Sequence, residues 1–135
     1  MRSMGFLGKK VDGDAPARST RARGQAAEER ALAHLAAAGL ALVERNYRTP
    51  GRGGGEIDLV MREPGGTLVF VEVRSRAAAG FGGAAASIGA TKRRRIILAA
   101  RHYLLRWPAP PPCRFDAVLI EGEQLQWLRA AFDAQ

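Results

Sequence analysis

The stretch that decides the fold reads EIDLVMR (residues 56–62), EPGG (63–66) and TLVFVEVR (67–74). Its first and last parts are rich in Val, Leu, Ile and Phe, and these side chains favour extended backbone. The middle part contains Pro and Gly, which are typical of turns. Because this connection is short, we predict an antiparallel β-hairpin and expect it to form the centre of a sheet.

The chain before the hairpin predicts one helix and one strand. Residues 24–38 are rich in Ala, Glu, Arg and Leu, which are strong helix formers, and Gly39 follows as a stop. Residues 40–47 combine apolar residues with β-formers and predict a strand. The run TPGRGGG at residues 49–55 is interpreted as a mobile loop.

The chain after the hairpin predicts a second helix and two further strands. Small residues dominate positions 77–86 and indicate a loop that moves or becomes ordered on a ligand. Thr91 can cap a helix at 92–106, and residues 114–121 and 125–128 predict a last hairpin. This order predicts an α/β fold with a central mixed sheet of about five strands flanked by helices.

Length and composition indicate one folded domain. The chain has 135 residues, of which 47% are hydrophobic, and this excludes a wholly disordered protein. Residues 1–22 lack periodicity and are interpreted as a flexible basic tail, so the domain is placed at 23–135. The single cysteine, Cys113, excludes an internal disulfide. With no membrane-spanning run and no signal-peptide core, we expect a cytoplasmic protein that does not bind membranes.

The charge points to a polyanionic partner. The chain has 21 Lys and Arg against 13 Asp and Glu, which leaves a formal charge of +8. Basic residues are grouped at Arg21, Arg23 and positions 92–95, as expected of a phosphate-binding surface. An Arg-rich proteome that uses arginine for solubility is the alternative explanation. Nucleic acid is therefore the expected partner.

Two carboxylates in the central hairpin form the candidate site. Alternate residues of a strand share a face, so Glu72 and Arg74 project together while the neighbouring valines point to the other layer. Asp58 on the paired strand can lie within reach of Glu72. Because converging carboxylates repel each other, they need a raised pKa, a cation or a metal ion. Oxygen ligands favour Mg²⁺ or Mn²⁺, and such an ion can promote phosphodiester hydrolysis.

Helical spacing adds one acid and one base to this site. Glu28 shares a stripe with Ala31 and Leu35 in the first helix, and Lys92 shares one with Ile96 in the second. Both side chains are therefore predicted to project from the core faces of their helices toward the carboxylates.

Simpler interpretations of the same residues stay open. Each carboxylate alone could be a solvated side chain, and Asp58 with Arg74 or Glu72 with Lys92 could form plain salt bridges. Lys92 could extend along the helix start into solvent, and residues 93–95 could be a solvated face.

A series of motifs runs through the chain in a fixed order and spans about residues 23 to 132. The motifs are Gly24-x3-Glu28-x2-Ala31-x3-Leu35-x3-Gly39, Asn46-Tyr47-Arg48, Gly55-Glu56-Ile57-Asp58-Leu59, Phe70-Val71-Glu72-Val73-Arg74-x-Arg76, Lys92 and Arg114-Phe115-Asp116. Together they resemble the YraN-type family of uncharacterised bacterial proteins. That family is similar to the restriction-endonuclease-like superfamily, which carries the PD-(D/E)xK motif, and within it to the archaeal Holliday junction resolvases.

The resemblance assigns roles to individual residues. The superfamily's metal-binding Asp corresponds to Asp58, its second acidic residue to Glu72, and its helical Glu to Glu28. The superfamily has Lys two positions after the second acid, where this chain has Arg74. Arginine cannot be deprotonated in a protein, so a general base is not expected there. Arg74 could hold a phosphate or orient water, and Lys92 could take the lysine's role; loss of catalysis is the other alternative.

The resemblance thus implies a single nuclease-like domain, a metal-dependent endonuclease or nuclease-like protein acting on structured or branched DNA in repair or recombination. The expected metal ligands for Mg²⁺ or Mn²⁺ are Asp58 and Glu72. The expected catalytic residues are Glu28, Asp58, Glu72, Arg74 and Lys92. The expected nucleic-acid contacts are Arg48, Arg76, Arg93, Arg94 and Arg95.

Two other functions remain as alternatives at this point. One is a non-catalytic nucleic-acid-binding protein of the same fold, and the other is a protein recruited to a repair or replication complex without touching nucleic acid. Superfamily relatives that cut two strands symmetrically often work as dimers, which leaves a homodimer open.

Overall fold

The computed structural model describes residues 16–76 and 88–134, with the side chains of these residues except 16–21, 23 and 76. The predicted α/β fold is confirmed: a mixed sheet of five strands is flanked by two helices, as in restriction-endonuclease-like domains. The elements are α1 (Pro16–Ala37), β1 (Ala41–Arg48), β2 (Glu56–Arg62), β3 (Leu68–Arg76), α2 (Ala90–Leu104), β4 (Cys113–Glu121) and β5 (Gln124–Phe132).

The central hairpin is confirmed. Strands β2 and β3 pair antiparallel, with Leu59 opposite Val71 and Arg62 opposite Leu68. The turn is closed by the Glu63 N–H, which donates to the Thr67 carbonyl at 2.9 Å. The strand order is β1-β2-β3-β4-β5, which places β3 in the middle of the sheet.

The pairing of β3 with β4 is parallel, whereas the other strand pairs are antiparallel. A parallel pair needs a crossover connection, and α2 lies in it. Because a crossover carries its helix over one face of the sheet, α2 and α1 can cover opposite faces.

Each face of the sheet has its own hydrophobic core. Ala27, Ala31 and Leu35 of α1 pack in a cluster with Val69 and Val71 of β3. The other cluster joins α2 to the opposite face, and its members include Leu68, Phe70, Ile96, Ala99 and Tyr103. The alternation predicted along β3 is therefore present, and it sends the even-numbered side chains toward α2.

The first helix begins earlier than predicted. It starts at Pro16, within the segment interpreted as a tail, while residues 1–15 lie outside the described part of the chain. Proline is favoured in the first turn because it has no N–H to leave unpaired, and the Ala and Arg residues that follow are good helix formers. The predicted loop at 77–86 also lies outside the described residues.

Thr91 does not cap the second helix, contrary to the prediction. The helix begins at Ala90, and Gly89 is the N-cap, with extended backbone and no side-chain capping bond. Its carbonyl accepts the first helical hydrogen bond from the Arg93 N–H at 2.9 Å. Thr91 is therefore already inside the first turn, where its hydroxyl cannot serve as the cap.

A fully buried acid ties β4 to β5. Asp116 has no exposed surface, and the pairing of the two strands is irregular on either side of it. Four donors reach its carboxylate within 3.1 Å. They are Arg114 Nε, Arg114 Nη2, Trp127 Nε1 and the Ala130 N–H.

Candidate functional site

Asp58 lies where the β2–β3 pairing ends. The last regular pair is Leu59 with Val71, and beyond it the Asp58 carboxylate accepts a hydrogen bond from the Val73 N–H at 2.8 Å. The side chain thus satisfies a backbone donor that would otherwise need a strand partner.

The backbone around Asp58 is twisted. Ile57 packs in the α2-side core and Leu59 in the α1-side core, although residues two apart normally face the same way. On the neighbouring strand, Asn46 adopts the left-handed conformation with φ of 51°. This local twist turns Asp58 toward β3 instead of into either core.

Glu72 is the buried partner of Asp58. It is 3% exposed, and its carboxylate interacts with that of Asp58. Two cations approach its Oε2 atom: Arg74 Nη1 at 3.5 Å and Lys92 Nζ at 3.6 Å. The structure therefore brings together four of the predicted site residues, from β2, β3 and α2.

The electrostatics of the pair agree with this crowding. Burial raises the pKa of Asp58 to about 8, helped by the negative charge of Glu72 and opposed by the Val73 N–H. Burial also raises the pKa of Glu72, against the opposing effect of Lys92 and Arg74. Neighbouring buried acids whose simultaneous ionisation is energetically unfavourable are typical of functional sites.

Glu28 lies beside the pair but is bound to other groups. Asn46 Nδ2 donates to its carboxylate at 3.3 Å, and Arg45 Nη2 is 3.6 Å away. Its side chain is 18% exposed, at the edge of the α1 stripe. Its charge still contributes to the raised pKa of Asp58, so it acts on the site without sharing its contacts.

The residues fit a divalent ion with few protein ligands. In the described part of the chain, no three His, Cys, Asp or Glu side chains converge as a metal-binding group. Asp58 and Glu72 nevertheless offer a converging pair of carboxylates, and Mg²⁺ commonly takes one or two carboxylates while keeping several waters. Positive charge placed between these acids would relieve their repulsion.

The basic run at 92–95 is divided between two sides of α2. Lys92 and Arg95 line a polar cavity of about 380 Å³, together with Arg48. Arg93 and Arg94 line a different cavity, and Arg93 Nε donates to the Ile88 carbonyl at 2.8 Å. The predicted nucleic-acid residues therefore do not form a single patch, and the side chain of Arg76 lies outside the described residues.

Sequence reasoning missed two contributions to the site. One is Asn46, which holds Glu28; the signal was that Asn tolerates the left-handed conformation better than most residues. The other is the backbone N–H of Val73, which leaves no trace in the sequence because any residue but proline supplies that donor.

The fold defines a restriction-endonuclease-like α/β domain, and its sheet carries a buried pair of carboxylates, Asp58 and Glu72. Comparison with known proteins then identifies the family: residues 27–120 match the model of the uncharacterised protein family UPF0102, and the chain belongs to that family. This confirms the YraN-type resemblance, and the matched range contains Glu28, Asp58, Glu72 and Lys92.

Relatives match over nearly the whole chain. A UPF0102 protein of Acidovorax sp. (strain JS42) is 80% identical over 97% of this chain and 99% of its own length. One from Paracidovorax citrulli is 71% identical over 97% of this chain and 99% of its own length. One from Verminephrobacter eiseniae is 65% identical over the full length of both. Separately, neither described helix is long and apolar enough to cross a membrane.

Proposed function

We propose that this protein is a metal-dependent endonuclease that acts on structured or branched DNA in repair or recombination. The observation that carries the proposal is the buried Asp58 and Glu72 pair, with Lys92 and Arg74 both within 3.6 Å of the Glu72 carboxylate. The carboxylates that would hold a divalent ion and the cationic side chains that would hold a phosphate then lie side by side. The net charge of +8 supports nucleic acid as the partner.

In this proposal the chain's own residues divide the work. Asp58 and Glu72 would hold Mg²⁺ or Mn²⁺, which when bound polarises a phosphoryl oxygen and activates water. The Val73 N–H fixes the orientation of the Asp58 carboxylate. Lys92 and Arg74 would contact the scissile phosphate, and of the two only Lys92 can exchange a proton with the attacking water. Glu28 supports the site from α1 through its charge.

The test is cleavage of branched DNA by the purified protein. With Mg²⁺ or Mn²⁺ we expect nicking of a branched or flapped duplex, and Asp58→Ala or Glu72→Ala should reduce the rate at least about 100-fold. Glu123→Ala is the matched control, because Glu123 is an exposed carboxylate in the turn after β4. If all four proteins cleave equally, the activity belongs to a contaminant and the proposal fails.

A metal titration tests the same site without cleavage. Binding of Mn²⁺ to the wild-type protein should be saturable and should disappear in Asp58→Ala and in Glu72→Ala, while Glu123→Ala keeps it. Absence of binding in the wild type would remove the chemistry on which the proposal depends.

A non-catalytic nucleic-acid-binding protein is the second candidate, and Arg74 favours it. The lysine of the superfamily pattern is replaced by a residue that cannot lose a proton, while the basic groups remain. In that case the protein binds DNA or RNA without cutting it. Neutralising Arg93, Arg94 and Arg95 together should lower affinity and flatten its dependence on salt if these residues meet phosphates. An unchanged salt slope would remove them from the interface.

A further inference from the structure

A second basic feature adjoins the carboxylate pair. The connection between β1 and β2 packs against α2 and lines the open cavity of about 380 Å³ already described. We call this cavity the glycine-loop pocket. Its charged lining consists of Arg48, Glu56, Lys92 and Arg95, and glycines of the connection also line it.

The connection is held in shape. At its neck, the Thr49 N–H donates to the Gly55 carbonyl at 3.1 Å, and the Gly55 N–H donates back to the Thr49 hydroxyl at 2.8 Å. A Cβ atom at Gly55 would lie 1.8 Å from the Arg95 carbonyl oxygen, and one at Gly54 would lie 1.9 Å from Thr49 Oγ1. Glycine at position 55 is therefore required for the loop to approach α2 this closely, and glycine at position 54 leaves room for the Thr49 side chain.

The charges of the pocket are unbalanced. Three cations line it, and Glu56 is the one acid of its described lining. Arg48 is 3.8 Å from Glu56, but its side chain is 73% exposed and so remains accessible to a ligand. Within residues 16–76 and 88–134, no carboxylate pairs with Arg95. A polar cavity with surplus positive charge and backbone groups at its wall suits a phosphate group.

Lys92 connects this pocket to the carboxylate pair. Its ammonium lies 3.6 Å from Glu72 Oε2, and the same side chain lines the pocket. A phosphate in the pocket and a phosphate at the carboxylate pair would therefore be neighbours on either side of Lys92.

We infer that the glycine-loop pocket binds a phosphate group of the nucleic-acid strand adjacent to the phosphate held at Asp58 and Glu72. This inference rests on the proposed function for the position of the strand, but it concerns binding and not hydrolysis. The phosphate belongs either to an internal phosphodiester or to a strand terminus, and both present the same anionic oxygens to Arg48, Lys92 and Arg95.

The experiment measures affinity for a labelled branched DNA in EDTA, where no metal and no cleavage are involved. Arg95→Gln and Arg48→Gln should each weaken binding about tenfold at low salt and lower the slope of log affinity against log salt by about one. Arg101→Gln is the matched control. It makes the same charge change on the same helix, at an exposed residue outside the pocket whose guanidinium contacts the Ala134 carbonyl.

The outcomes separate this inference from the proposed function. If the wild-type protein binds but never cleaves, and Arg95→Gln still loses affinity and slope relative to Arg101→Gln, the nuclease proposal fails and the pocket stands. If the protein cleaves DNA but Arg95→Gln and Arg48→Gln bind as Arg101→Gln does, the pocket inference is overturned. Arg95→Lys keeps the charge and should restore most of the affinity.

Modified DNA identifies the source of the phosphate. One series replaces single internal phosphates by neutral methylphosphonates, and another removes the 5′-terminal phosphate. The DNA modification that abolishes the difference in affinity between wild type and Arg95→Gln identifies the phosphate in the pocket. A methylphosphonate with this effect marks an internal phosphate, and loss of the 5′ phosphate with this effect marks a terminal one. If no change abolishes that difference, the pocket does not hold a phosphate.

Discussion

Asp116 and the Asp58–Glu72 pair are both buried acidic groups in strands, but the protein surrounds them differently. Each Asp116 oxygen receives two hydrogen bonds, and Arg114 binds the carboxylate with two nitrogens at 2.9 and 3.1 Å. At the pair, Asp58 accepts a hydrogen bond from a backbone N–H, and the side-chain nitrogens of Arg74 and Lys92 lie 3.5 and 3.6 Å from Glu72 Oε2.

The difference lies in how completely hydrogen-bond donors satisfy each acidic group. A buried charge with every lone pair satisfied holds its surroundings in one arrangement. Two adjoining acids with raised pKa values do the opposite, because ionising both of them lowers the stability of the fold despite the nearby Lys92 and Arg74. The first arrangement resists change, and the second favours protonation or the approach of a further cation.

The largest effect should come from Asp116. In Asp116→Ala the Arg114 guanidinium, the Trp127 N–H and the Ala130 N–H lose a shared acceptor, so we expect a loss of about 3–5 kcal/mol in the free energy of unfolding. Urea denaturation followed by circular dichroism measures it. Asp116→Asn keeps the shape and should lose less. A loss below about 1 kcal/mol for Asp116→Ala would contradict the structural role.

Removing the charge of Asp58 should raise the stability of the fold, whereas removing that of Asp116 lowers it. Asn can still accept the Val73 N–H but carries no charge, so Asp58→Asn should raise the free energy of unfolding by about 1–3 kcal/mol above pH 8 while abolishing cleavage. Unfolding must be measured in EDTA, because a bound metal ion would stabilise the wild type. Destabilisation at high pH would make Asp58 a structural residue like Asp116.

The pH dependence of stability follows from the burial of Asp58. The pKa of Asp58 is raised from 3.8 to about 8, so the folded protein retains a proton that the unfolded chain releases. Its contribution to stability is complete below about pH 4 and is lost as the pH rises through about 8. The stability of the wild type relative to Asp58→Asn should therefore fall between these pH values. If the difference in the free energy of unfolding between the two proteins does not change with pH, the raised pKa of Asp58 is refuted.

The smallest effects on stability should come from replacing Arg114 or Arg74 with lysine. Arg114→Lys removes a two-nitrogen contact with Asp116 and should cost about 1–2 kcal/mol, whereas Arg74→Lys keeps a charge near Glu72 and should change stability by less than about 0.5 kcal/mol. In cleavage assays Arg74→Lys should raise the rate if the position contributes to catalysis. An unchanged rate would assign that contribution to Lys92.

The elements of the fold could be predicted because their signals are local. The hairpin at β2 and β3 follows from two apolar runs and a Pro-Gly turn, and the stripe of α2 from helical spacing. The errors lay at helix starts: the sequence favoured Thr91 as a cap, but the helix begins at Ala90 with Gly89 as its N-cap. Caps depend on which residue leaves the helical conformation, and composition alone does not decide that.

The site could be predicted in part for the same reason. Asp58, Glu72 and Lys92 were placed by periodicity and strand pairing, and the structure brings them together. The division of residues 92–95 between two cavities was not foreseen, because it depends on where the β1–β2 connection lies against α2. That connection was interpreted as mobile, yet Gly54 and Gly55 in it allow close packing.

The parallel pairing of β3 with β4 has a consequence for the order of folding. Hairpins close within about 1–10 μs, whereas a parallel pair must wait for its long crossover to form. The β2–β3 hairpin contains Asp58 and Glu72, while Lys92 lies in the crossover. We therefore expect the two acids and Arg74 to be assembled before Lys92 joins them, and stopped-flow refolding should be faster at pH values where the acids hold a proton.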